Sequence, residues 1–170
     1  MGPAVSDLAG EPDTAAVLRV LEARLRRCED QLALYQLMMS YGPAVDSGSS
    51  DVASELWTEG GLYDAQVGSW RGRRAIAEMI EGPDHQALIH NGAAHVAAMP
   101  LLSIEEDSAV ATCYFHLYVR DGNGFRPWRV TATRWEFARQ PDGWRITSRV
   151  NRLLDGGFEA RQLLGRGVEP

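Results

Sequence analysis

Four side chains are the first to weigh for chemistry: His95, Asp46 and Tyr41, which can exchange or hydrogen-bond a proton, and Arg152, a permanent cation. Histidine ordinarily titrates near pH 6.5, so an imidazole is the first candidate for a general base at neutral pH. His95 sits among small apolar residues, in Ala93-Ala94-His95-Val96-Ala97-Ala98. Such a histidine is either a hydrogen-bonded core residue or a base held where water is scarce. Asp46 follows Ala44-Val45 just after a Gly42-Pro43 pair. Taken alone it caps local amides, and Tyr41, five residues earlier, is a core tyrosine. Arg152 is marked by alternation. In the last strand, Trp144, Ile146, Ser148, Val150 and Arg152 share one face, and Arg145, Thr147, Arg149, Asn151 and Leu153 the other. If Trp144, Ile146 and Val150 face the core, Arg152 faces it too and needs an anion or carboxylate to offset its burial. Otherwise the strand ends there and Arg152 reaches solvent.

These residues need elements to position them. Asp13-Thr14 is a good helix start, and Leu18, Leu21, Leu25, Cys28, Leu32, Tyr35 and Met39 follow at alternating spacings of three and four. That is a heptad seam, flanked by Arg19, Glu22, Arg24, Arg26, Arg27, Glu29 and Asp30. The helix spans about 28 residues, roughly 40 Å, long enough either to cross its own sheet or to project toward a partner chain. Gly42-Pro43 interrupts it. Short helices are expected over 51–57 and 73–80, with short strands at 62–67 and around Trp70, and Gly82-Pro83 ends the last helix. Strands then dominate: 96–104, 109–120, 125–138 and 144–154, with turns at Asp121-Gly122-Asn123-Gly124 and Pro141-Asp142-Gly143. In the strand over 109–120 the odd positions, Ala109 to Val119, are apolar, and the even ones include Thr112, Tyr114, His116 and Tyr118. Helices first and an antiparallel meander after make an α+β domain.

Composition narrows the function. The chain has 170 residues, 45% of them hydrophobic and 24% charged, enough for one domain. A net charge of −6 argues against a nonspecific nucleic-acid binder. No apolar run is long enough to span a membrane, and no secretory leader is visible, so a cytoplasmic protein is expected. All 17 basic residues are arginine, which excludes a lysine Schiff base or a phosphate-loop lysine. Cys28 and Cys113 suggest neither a disulfide framework nor a zinc site. His85, His90 and His95 would suit a metal only on a helix; Pro83 and Gly92 argue against one, and no metal is expected.

The order of motifs resembles a known superfamily. Tyr41-Gly-Pro-Ala-Val-Asp46, then Leu56-Trp57-Thr-Glu-Gly-Gly-Leu-Tyr63-Asp64, resembles the start of a SnoaL-like domain, with its nuclear-transport-factor-two-like cone fold. Trp70 to Ile76, His95, the strand through Thr112, Arg134-Trp135-Glu136 and Asp142-Gly-Trp-Arg-Ile146 resemble its third helix and sheet. The resemblance covers residues 14–156 as a cone domain; residues 1–13, rich in Gly, Pro, Asp and Ala, read as a mobile tail, and 157–170 as an extension with a short helix over 158–164. It implies a long N-terminal helix and two shorter ones packed on a strongly curved, mostly antiparallel sheet.

Within that superfamily the sequence is most similar to scytalone dehydratase, bile-acid 7-alpha-dehydratase and dehydrochlorinase enzymes. The similarity places Asp46 and His95 at their catalytic dyad, Arg152 at the arginine of the last strand and Tyr41 at the bile-acid enzyme's tyrosine. The sequence departs from the pattern in three places: Val45 replaces the scytalone enzyme's tyrosine, Leu117, beside His116, replaces the bile-acid enzyme's second aspartate, and Thr131 and Thr133 replace the scytalone enzyme's polar pair. The resemblance thus implies a cofactor-independent lyase or isomerase, of dehydratase or cyclase type, acting on a small hydrophobic cyclic substrate, polyketide-like or steroid-like. Trp57, Tyr63, Met99, His116, Tyr114, Trp128 and His90 would line the substrate site, with the dyad at the floor of a deep pocket. The same fold also implies an alternative, a noncatalytic small subunit of a ring-hydroxylating dioxygenase or a ligand-binding module. The expected assembly is a homodimer or homotrimer, with no nucleic-acid or membrane partner.

Overall fold

A computed structural model describes residues 13–169; the expected tail therefore lies, apart from Asp13, outside the described residues. Helix α1 (Thr14–Asp46) is 33 residues long. Asp13 caps it, its carboxylate accepting from the Ala15 amide at 3.1 Å. The helix does not stop at Gly42-Pro43. Pro43 removes one backbone bond, but Pro43 and Met39, whose carbonyl loses its partner, lie on the exposed side of the helix, within reach of solvent. The helix therefore runs on to deliver Asp46.

Short helices α2 (Ser50–Glu55) and α3 (Arg73–Glu81) bracket strands β1 (Trp57–Asp64) and β2 (Ser69–Arg71). A further helix, α4 (Pro83–His90), occupies a stretch where the sequence argues against one. Pro83 stands in its first turn, where a missing amide hydrogen costs nothing. The expected strand over 96–104 is two strands, β3 (Ala93–Ala97) and β4 (Leu101–Glu105), which pair with successive halves of one edge of β5 (Ser108–Asp121). Strands β6 (Gly124–Gln140) and β7 (Gly143–Leu153) complete the meander, and α5 (Phe158–Val168) follows. Gly122, with φ of +56°, supplies the left-handed residue of the β5–β6 turn.

The sheet runs β2-β1-β7-β6-β5-β3, with β4 also on β5. Strands β1 and β7 are parallel and the other pairs antiparallel. One face curves around the core. Leu34, Met38, Tyr41 and Val45 of α1, with Ile76 and Ile80 of α3, pack there against Trp57, Ala111, Phe115, Trp135 and Ile146. The opposite face carries α5, whose Ala160 and Leu163 pack on Ala132. The apolar odd positions of β5, Ala109 to Leu117, point into the core as expected.

Helix α1 meets β3 at one point with no room to spare. A Cβ on Gly42 would lie 2.2 Å from the carbonyl oxygen of His95. Glycine is required here for close approach, so α1 can lie directly on the strand that carries His95. Replacing an interior helical glycine by alanine ordinarily stabilises by about 1 kcal/mol. Gly42→Ala should do the reverse and lower stability by about 1–3 kcal/mol, because the added methyl must push α1 off β3. Chemical denaturation checks this; a raised midpoint would contradict the close approach.

Candidate active site

The contact between α1 and β3 creates the dyad. Asp46 is the last residue of α1. Its Oδ1 lies 2.5 Å from His95 Nδ1, and its Oδ2 accepts from the His95 backbone amide at 2.7 Å. Strand β3 is at the edge of the sheet, so that amide is free to turn to the helix. A carboxylate only accepts, so Nδ1 carries the hydrogen and the lone pair sits on Nε2. Nε2 has no hydrogen-bond partner among the described residues. Burial depresses the His95 pKa below its ordinary value; the Asp46 hydrogen bond and charge oppose this, and the Arg149 and His85 charges reinforce it. The His95 ring is thus held neutral, in one tautomer, with Nε2 able to take a proton.

His85 of α4 closes over the pair. Its ring stacks on His95 with centroids 5.8 Å apart. Its Nε2 donates to the Val45 carbonyl at 2.9 Å, which fixes the ring against the end of α1. No local pattern places His85 here, because Pro83 obscures the helix that carries it.

The arginine in the core is Arg149, not Arg152. Strand β7 contains a bulge: Glu136 pairs with Ser148 but Phe137 pairs with Ile146, leaving Thr147 unmatched. One extra residue reverses the alternation. Trp144 and Ile146 face the core before the bulge, and Arg149 and Asn151 after it. Arg152 is turned to the other face, where it donates to Asp64 at 2.8 Å, Glu159 at 3.0 Å and the Asn151 carbonyl at 2.8 Å. It ties β7 to β1 and α5 and has no contact with the dyad. The expected inward Arg152 is therefore corrected. The one signal for this in the sequence is the small polar pair Thr147-Ser148 in mid-strand.

Arg149 is fully buried, and its three guanidinium nitrogens have no hydrogen-bond partner. Aromatic faces surround it instead: the guanidinium carbon lies 4.1 Å from the Phe115 ring centre, 4.2 Å from Trp135, 4.3 Å from Tyr41 and 5.0 Å from Tyr63. Ring faces attract a desolvated cation but leave its N–H groups unsatisfied. Phe115 also lies 6.1 Å from the His95 ring, so one side chain borders both cation and base. Tyr41 is buried under Arg149, and that burial raises its phenol pKa, keeping it a neutral hydrogen-bond donor.

Of the residues expected to line a substrate site, Trp57 and Tyr63 are in the cone, 5.9 Å apart, with Tyr63 against Tyr41. The others are not. Tyr114 and His116 occupy even positions of β5 and face away from the core, opposite Ala132 and Val130. Trp128 sits at a β6 bulge, and Met99 between β3 and β4; Met99, Tyr114 and Trp128 are half or more exposed. His90 is exposed on α4, its Nδ1 donating to the Gln86 carbonyl. The deep pocket is also corrected. Arg149 and its rings fill the cone, and none of five clefts on the described residues is lined by Asp46 or His95. The dyad meets solvent at an edge, with 22% of the Asp46 and 13% of the His95 side chain exposed.

Comparison with known proteins fits this geometry. The SnoaL-like domain family matches residues 26–150. This chain belongs to that family. No curated protein matches the sequence. Among solved structures, an NTF2-like protein with a cystatin-like fold from Novosphingobium aromaticivorans is 39% identical, covering 95% of this chain and 99% of its own, with a TM-score of 0.82. A candidate aromatic ring hydroxylase from the same organism is 25% identical over 75% of this chain and 90% of its own, with a TM-score of 0.58. A candidate dehydratase of the NTF2-like family from Streptomyces avermitilis shares the fold at 15% identity, covering 75% of this chain and 97% of its own, with a TM-score of 0.60. SnoaL-like domains include lyases and isomerases, and this chain has their cone, long first helix and curved sheet. Among the described residues no helix is long and apolar enough to cross a membrane.

Arg149 gives a stability test. A buried cation without hydrogen bonds is often replaced at no cost by an apolar side chain of similar size. Arg149→Met should melt at or above the temperature of the parent, whereas Arg152→Ala, which strips two carboxylates of their partner, should melt lower. Thermal unfolding of both variants checks the assignment. A severely destabilised Arg149→Met would mean that the guanidinium serves the fold.

Proposed function

We propose that this SnoaL-like domain is a cofactor-independent lyase or isomerase. In this reading His95 removes a proton next to a carbonyl in a small hydrophobic cyclic substrate, polyketide-like or steroid-like. The observation that carries the reading is the free Nε2 of His95, on a ring anchored to Asp46 and sharing Phe115 as a neighbour with the unsatisfied guanidinium of Arg149. A noncatalytic subunit has no use for either feature.

The chemistry follows from the groups present. Nε2 takes the proton, the C–H electrons move toward the carbonyl, and an enolate forms. His95 becomes an imidazolium, stabilised by the Asp46 carboxylate. The site also lies at the C-terminal end of α1, where the helix dipole favours positive charge. Arg149 is the group able to meet the developing oxyanion: its donors are preorganised, dry and unpaired, the condition under which such donors contribute most. Tyr41 keeps its proton and can serve as a second donor. In a dehydration the enolate electrons expel a β-hydroxyl, and His95 returns its proton to that oxygen, releasing water. In an isomerisation the proton returns to a different carbon. Trp57, Phe115 and Trp135 are packed in the core that surrounds Arg149, and a substrate would approach from the edge where the Asp46–His95 pair meets solvent. The fine identity of that substrate is set by contacts beyond these groups.

Proton abstraction can be tested without the natural substrate. In D2O, a panel of fused-ring ketones should lose α-hydrogen signal in NMR when incubated with the protein. His95→Ala should slow exchange by about 10²–10⁴-fold. Arg149→Lys should lower the exchange rate more than it weakens binding, because a point charge replaces a planar fork. Arg152→Lys should leave the exchange rate near that of the parent. Exchange that survives His95→Ala would sink the reading.

The pH profile has a definite sign. The base works only when neutral, and its pKa is depressed, so the rate should fall on acidification with a midpoint below about 6.5. Asp46→Asn removes the influences that raise the His95 pKa, so its residual activity should show a midpoint at still lower pH. The same linkage acts on stability. The neutral buried ring contributes fully above the unfolded-state value near 6.5, and that contribution is lost as pH falls toward the depressed folded value. A rate midpoint above 6.5 would contradict the assignment.

A further inference from the structure

The N-terminal half of α1 packs on nothing. Burial along the helix begins at Leu34; before it, Val17, Leu18, Val20, Leu21, Leu25 and Leu32 are between 44% and 67% exposed. The last tie to the body is Asp30, which accepts from both terminal nitrogens of Arg139 at 2.7 Å and from Trp144 Nε1 at 3.0 Å. N-terminal to it, a charged cleft of about 960 Å³ separates the helix from the turn at Glu106-Asp107. A solvated helical arm of this length is marginal in water unless an apolar stripe is covered.

We infer that a second copy of this chain covers that stripe, and that the two α1 arms form a parallel, two-stranded coiled coil through Leu18, Leu21, Leu25, Cys28 and Leu32.

Three observations support the occupant and its orientation. First, the spacing is that of a coiled-coil seam. With Leu18 as heptad position a, Leu21 and Cys28 are d positions, and Leu25, Leu32 and Met39 are a positions. From Leu21 to Leu32 the stripe is narrow, bounded by polar residues at e (Glu22, Glu29) and g (Arg24, Gln31), which suits two strands; Val17, a g position, widens it only at the N-terminal end. Second, the flanking charges are self-complementary in one orientation. In a parallel pair, Arg24 at g faces Glu29 at e of the other chain, and symmetry makes that contact twice. An antiparallel pair instead sets e against e, Glu22 near Glu29, and like charges meet. Neither Arg24 nor Glu29 has an ion-pair partner within its own described chain. Third, the seam faces away from the body. The side chains that α1 buries against its own domain, Leu34, Leu37, Met38, Tyr41, Ala44 and Val45, fall at positions c, f and g, and Gly42, a d position, touches β3 only near the C-terminal end of the helix. Over residues 18–32 positions a and d lie on the other side of the helix, so a partner helix can approach the arm without meeting the cone.

Cys28 reports on the geometry. It is exposed, whereas Cys113 is buried. In the parallel pair Cys28 faces Cys28 of the other copy; in an antiparallel pair of the same seam it faces Leu25. The full chain at micromolar concentration should sediment as a dimer, and a short bismaleimide should link it covalently in high yield. Cys28→Ser should abolish the link and leave the dimer. Leu25→Asp should give a monomer with an unchanged near-ultraviolet spectrum, since Leu25 touches no core residue. Arg24→Glu should weaken the dimer by about tenfold, and Arg24→Glu combined with Glu29→Arg should restore it. A monomeric parent would overturn the inference. So would a dimer indifferent to Leu25→Asp, which would place the interface elsewhere, or one lost in Leu25→Asp whose Cys28 residues never link, which would make it antiparallel.

Discussion

The Asp46 carboxylate binds two hydrogens of a single residue, the backbone amide and the ring Nδ1–H of His95. The rest of the site depends on that double contact. It requires α1 to continue through Pro43 so that a carboxylate reaches the end of the helix. It requires residue 42 to have no side chain, so that helix and strand touch. It also requires β3 to be an edge strand, so that one amide is left for the helix. A carboxylate at a helix C-terminus faces the negative end of the dipole. Two donors from one residue offset that penalty, and they fix His95 in position and in tautomer at the same time.

Arg149 is the second constraint, and it pulls against stability. Burying a guanidinium among four aromatic rings recovers part of its desolvation cost through cation–π attraction, but none of its hydrogen bonds. A chain selected for stability alone would have a long apolar side chain there. Retaining a charge with unsatisfied donors makes sense under the proposed reading, in which a transient anion completes the set. The Thr147 bulge is what makes this possible: it turns Arg149 inward and sends Arg152 to a face where carboxylates satisfy it.

The dyad and the fold family were legible in the sequence because they rest on local order: a tyrosine-glycine-proline-aspartate segment, a histidine among alanines, and turn residues between alternating strands. The alternation in β5 was legible for the same reason. The arginine was not, since a bulge shifts every later side chain by one face and leaves composition unchanged. The even positions of Tyr114 and His116 already set them opposite the apolar face of β5. Helix α4 was obscured by Pro83, which breaks a helix in its interior but is at home in a first turn. The exposed seam of α1 was visible as a pattern, although only the fold separates its stripe from the one that packs on the sheet.

The central claim is that His95 is a neutral base with its hydrogen on Nδ1. Nitrogen-15 NMR of histidine-labelled protein measures this directly. The account predicts a His95 spectrum at neutral pH with Nδ1 protonated and Nε2 bare, titrating below about 6.5. A ring protonated on both nitrogens at neutral pH, or one carrying its hydrogen on Nε2, would contradict it.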